Sequence, residues 1–97
     1  VGDLVRVVRN LIGNTDDKLT QKKWASFVAS MNEVVRGRAS CVHFCGHSDG
    51  IAVWQNWCIV ATVDEAWVEN LRATIEHCRK RYDQDSAAVM FGNTEFI

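Results

Sequence analysis

Residues 39–63, "ASCVHFCGHSDGIAVWQNWCIVATV", decide the fold. Asp49-Gly50 sits between two runs rich in β-branched and aromatic residues, the pattern of a hairpin closed by a two-residue type I′ turn. The reading is strand 39–47, a tight turn, and strand 51–62. With Asp49-Gly50 as the whole turn, Cys41 faces Cys58, His43 faces Asn56, Cys45 faces Trp54 and His47 faces Ala52. Alternation along a strand puts all of these on one face of the sheet. The opposite face then carries Val42, Phe44 and Gly46 against Trp57, Gln55 and Val53, with Ile59 beyond.

Outward from the hairpin, residues 20–36 read as a helix. Trp24, Phe27, Val28, Met31, Val34 and Val35 recur at three- and four-residue steps, Thr20 is an N-cap and Gly37 a stop. A second helix follows from about residue 62. There Thr62 and Glu65 fit a capping box, and Val68, Leu71, Ile75, Cys78 and Tyr82 form an apolar stripe. After the polar link "DQDS", residues 87–97 read as a last strand, and its helical connection to the hairpin implies some parallel pairing. Residues 3–12 fit either a valine-rich strand or a helix with Leu4, Val5, Val8, Leu11 and Ile12 on one side. As a strand they complete β-α-β-β-α-β, the ferredoxin-like order; as a helix they give α-α-β-β-α-β. We favour the strand, because one sheet covered by two helices then closes as an α+β two-layer sandwich.

The 97 residues suffice for a single domain. There is no proline, and no apolar run approaches the ~20 residues of a membrane span. The first ten residues lack the layout of a signal peptide, so the expectation is a soluble cytoplasmic protein. Net charge is −1, and the basic run Arg79-Lys80-Arg81 falls late in a helix, where cations favour the dipole. Nucleic-acid binding is therefore not expected.

"CVHFCGH" looks at first like a metal motif. On a regular strand, however, Cys41 and His47 lie ~20 Å apart, too far to share an ion. The best subset is Cys41, His43 and Cys58, with Asn56 a poor fourth ligand, so neither a metal nor another cofactor is expected. The spacings of the four cysteines match no paired C-x-x-C framework. Cys41 facing Cys58 also raises a cross-strand disulfide, though reduced thiols are the expectation for a cytosolic chain. Catalysis by Cys45 with His43 or His47 lacks an orienting carboxylate. His77, beside Glu76 and Cys78, reads as a helix-surface residue.

The hairpin's second strand carries large apolar residues on both sides, while two helices can cover only one sheet face. The remaining face should meet a partner or ligand, the alternative being a third layer formed by residues 3–12 as a helix. We therefore expect a small binding module that self-associates as a dimer. Its interface or apolar ligand pocket would be formed by Cys41, His43, Cys45, Trp54, Asn56 and Cys58, with Trp54 as anchor. The alternatives are a small cofactor-free enzyme using His43 as acid or base between sheet and helices, and an inhibitor of the mobile-element or phage type that acts by docking.

Overall fold

A computed structural model describes residues 5–14, 19–48 and 55–92. Four strands, β1 (Val5–Gly13), β2 (Ala39–His47), β3 (Asn56–Asp64) and β4 (Ala88–Gly92), alternate with two helices, α1 (Gln21–Arg36) and α2 (Val68–Arg81). The valine-rich start is thus a strand, and the order is β-α-β-β-α-β. The sheet order is β2-β3-β1-β4, and every neighbouring pair is antiparallel. This architecture is compatible with the ferredoxin-like arrangement.

The expected parallel pairing does not occur. β3 and β4 run in the same direction, but β1 lies between them and pairs antiparallel with both. A helical crossover requires only that its two strands share a direction. The missing neighbour is supplied from the other end of the chain.

α1 begins where Thr20 accepts a hydrogen bond from the Lys23 amide, and its apolar face buries Phe27, Met31 and Val35. α2 is entered differently from the sequence expectation. β3 runs on through Thr62 to Asp64, whose side chain accepts from the Ala66 amide and caps a short 3-10 turn, Glu65–Trp67, ahead of the helix. The expected Thr62–Glu65 capping box is not used, because Thr62 is still in the sheet. The stripe of α2 is as expected, with Val68, Leu71, Ile75 and Cys78 buried and Tyr82 packed against the core. At its C-terminus the Asp83 amide donates to the Lys80 carbonyl and the Gln84 amide to the Arg79 carbonyl. Asp83 carries the left-handed φ of 53° that this Schellman-type ending requires.

Both helices lie on one side of the sheet. On that side Trp57, Ile59, Ala61 and Val63 of β3 and Val8 and Ile12 of β1 are buried against them. Tyr82 closes the layer. Its ring lies 5.0 Å from that of Phe27, and its hydroxyl pairs with those of Ser26 and Ser30 at 2.7 and 2.9 Å.

The hairpin differs most from its expected form. β2 ends at His47 and β3 begins at Asn56, so residues 48–55 connect them and Asp49-Gly50 is not the whole link. Asp49, Gly50 and Trp54 lie outside the described residues. The register is shifted, with Cys41 opposite Thr62, Phe44 opposite Val60, Cys45 opposite Ile59 and His47 opposite Trp57. Two irregularities, between Ala39 and Cys41 and between Val42 and Phe44, each insert a residue into β2. An inserted residue reverses the side on which all later side chains project. Cys41 and His43 therefore stay on the face away from the helices, while Cys45 and His47 cross to the helix side.

Candidate functional site on the open sheet face

The face away from the helices presents three cross-strand rows. Gly46, Cys58, Leu11 and Ala88 form the first; Phe44, Val60, Arg9 and Met90 the second; Cys41, Thr62, Val7 and Gly92 the third. No described element covers these rows. Of the four large apolar side chains strongly exposed among the described residues, three are here: Leu11 at 41%, Phe44 at 57% and Met90 at 56%. Arg9 is the one charged residue in the three rows, and its guanidinium reaches the Met90 sulfur at 2.7 Å.

At one end of this face Leu11, Phe44, Gly46, Asn56 and Cys58 line a shallow, mainly apolar groove of about 190 Å³. Its shape depends on Gly46. A Cβ there would come within 2.8 Å of the Phe44 ring, so the glycine lets the ring fold back over the strand. Gly13 plays a matching part beside Asn56, whose amide oxygen would meet a Cβ at 2.8 Å.

The expected site residues separate into three groups. Cys41, His43, Asn56 and Cys58 share the open face. Cys45 does not: it lies on the helix side, where its thiol donates to Asn32 Oδ1 of α1 at 3.8 Å. Trp54, the expected anchor, lies outside the described residues. Cys41 is paired with Thr62, and Cys58 with Gly46 and Leu11, so the two thiols are about 13 Å apart along β3 and no disulfide joins them.

His43 is exposed on the open face, not enclosed between sheet and helices. Its Nε2 pairs with Thr62 Oγ1 at 2.5 Å, and its Nδ1 lies 3.9 Å from Cys41 Sγ. The clefts of about 310, 280 and 340 Å³ elsewhere have no histidine among their described lining residues. Among the described residues no three His, Cys, Asp or Glu side chains converge as metal ligands.

Cys78 stands apart from all of these. Its burial between α2 and the sheet pushes the thiol's pKa up, with the charge of Arg81 acting in the other direction. It is a small core residue.

Sequence reasoning missed two features. Leu11, Phe44 and Met90 were not assigned to the open face, because the bulges in β2 and the place of β1 in the sheet are set by pairing rather than by local pattern. Asn10 was missed as well. It is buried at the centre of the covered face between Ile59 and Val89, and neither atom of its amide has a partner among the described residues. Asn14, at the end of the same strand, is fully engaged: it donates to the Leu19 carbonyl and Gln55 Oε1 and accepts from the Leu19 amide.

No protein family and no curated protein matches the sequence. Among solved structures, a hydroxynitrile lyase from Passiflora edulis superposes with a TM-score of 0.59 at 12% identity, over 99% of this chain and 100% of that one. The likeness is one of fold. No described helix is long and apolar enough to cross a membrane.

Proposed function

We propose that this chain is a small binding module that pairs with a second copy of itself through the open sheet face. The observation that carries the reading is the concentration of Leu11, Phe44 and Met90 on that uncovered face. Exposed apolar patches of this kind mark interaction surfaces, and closed two-fold pairs are the commonest oligomers. The strand pattern supports it too. β3 reads Trp-Cys-Ile-Val-Ala through its middle, a near-continuous apolar run of the kind found where both faces of a strand are buried. The groove beside Phe44 offers a second copy, or a small apolar ligand, a hollow at the edge of the interface, with Asn56 as a polar contact.

Size-exclusion chromatography with light scattering tests this. The chain should elute as a dimer at high micromolar concentration, and Met90→Lys should shift it to the monomer. A wild-type monomer throughout would defeat the reading.

A second reading is favoured by the His43–Thr62 pair, which fixes an imidazole at the surface. The similar fold of a hydroxynitrile lyase makes acid–base chemistry by His43 worth assaying. The work would be done on the open face rather than between the layers. Turnover of a hydroxynitrile that is lost in His43→Gln would support it, and no turnover would remove it.

A further inference from the structure

The bulge at Val42–Phe44 gives two exposed thiols of one strand opposite chemical settings. Cys41 Sγ lies 3.9 Å from His43 Nδ1, and His43 Nε2 is held by Thr62 Oγ1. When Nε2–H donates to the threonine oxygen, Nδ1 keeps its lone pair and faces the thiol. Thr62 is itself fixed in the sheet, with its carbonyl accepting from the Ser40 hydroxyl at 3.1 Å. The thiol, the base and the group that orients the base thus form a chain on an open surface, the arrangement that activates a sulfur nucleophile.

Cys45, four residues on, is also exposed but faces Asn32 Oδ1. Arg36 Nε donates to the same oxygen at 2.7 Å, which fixes the amide with its oxygen toward the sulfur. A carbonyl oxygen can accept the thiol proton in a hydrogen bond but cannot take it away as a base does.

We propose that Cys41 is the thiol–disulfide exchange site of this protein, with His43 as its base, Thr62 as positioning residue and low-molecular-weight disulfides as co-reactants. His43 Nδ1 takes the Cys41 proton, and Sγ attacks one sulfur of the disulfide. The S–S bond breaks as the new one forms, and the departing thiolate takes the proton back from the imidazolium. The products are a mixed disulfide on Cys41 and one equivalent of free thiol, with no net redox change. The proposal does not depend on dimer formation, since all three residues belong to one chain.

The test is modification by an aromatic disulfide in dilute protein at neutral pH, with each cysteine followed by peptide mass. Cys41 should react about a hundredfold faster than Cys45, the lower end of what a positioned base supplies. His43→Gln should bring Cys41 down to the Cys45 rate while leaving Cys45 unchanged, and Thr62→Val should give an intermediate rate. Buried Cys78 reports folding in every sample: if it stays unmodified, the variant is folded. Should His43→Gln unfold, Thr62→Val and the wild-type rate ratio decide the matter. The proposal is overturned if Cys45 reacts as fast as Cys41 in the wild type, or if Cys41 is no slower in a folded His43→Gln or Thr62→Val chain.

Discussion

The two faces of the sheet are built from similar residues and meet different surroundings. On the covered face, Trp57, Ile59, Ala61 and Val63 of β3 are buried by α1 and α2. On the open face, Cys58 and Val60 of the same strand remain partly exposed beside Leu11, Phe44 and Met90. A sheet with one face in water usually alternates apolar and polar residues, and this one scarcely does. The covered face, in turn, holds Asn10, whose amide has no partner among the described residues, where an apolar residue would be expected. Hydrophobicity alone therefore does not tell the faces apart. What separates them is the placement of the helices, which is decided by the crossovers.

The largest contrast should come from shaving one residue on each face. Ile59→Ala leaves a cavity in the core that Ile59 shares with Phe27, Met31 and Leu71, and should destabilise the fold by about 2–5 kcal/mol. Phe44→Ala should change the stability of the monomer by roughly 0.5 kcal/mol or less, as surface changes do. Urea denaturation in dilute protein compares them, and equal losses would mean that the open face is already covered within one chain.

Asn10→Leu should stabilise the fold by about 1–2 kcal/mol, because it removes a buried amide that has no partner among the described residues and keeps its branched shape. A loss of stability in the same urea experiment would show that the amide is satisfied inside the core, for instance by water, and that the covered face is less dry than its residues imply.

The smallest effect concerns pH. The Cys78 thiol ionises less readily when folded than at its ordinary value of 9.0. Above that value the unfolded chain gives up the proton first, so stability that is complete at neutral pH is lost as pH rises through the alkaline range. The urea midpoint of the wild type should fall more steeply than that of Cys78→Ala above pH 9, and parallel curves would place Cys78 in contact with solvent.

Much of the architecture is legible in the sequence, because it rests on local signals. The apolar spacing of α1 and α2 and the Thr20 cap are each written within a few residues, whereas the valine run of β1 fits a strand or a helix locally and only the closure of the sheet favours the strand. The site is legible only in part. Asp49-Gly50 is a strong turn signal, but the strands pair further from it than a tight turn allows, and the bulge between Val42 and Phe44 reverses the expected side of Cys45. Nothing local to "CVHFCGH" encodes a bulge, since the extra residue is stabilised by what β3 offers opposite. The grouping of Cys41, His43, Asn56 and Cys58 on one face was within reach. Leu11 and Met90 were not, because they come from strands far along the chain that meet only through the sheet order.

The central claim is that the open face buries itself against a second copy. The most direct measurement is isotope-filtered nuclear Overhauser spectroscopy on an equimolar mixture of labelled and unlabelled chains. The account predicts intermolecular contacts from the Leu11, Val60 and Met90 methyl groups and none from Val68 or Ile75 of α2. Intermolecular contacts confined to the helices, or none at high protein concentration, would contradict it.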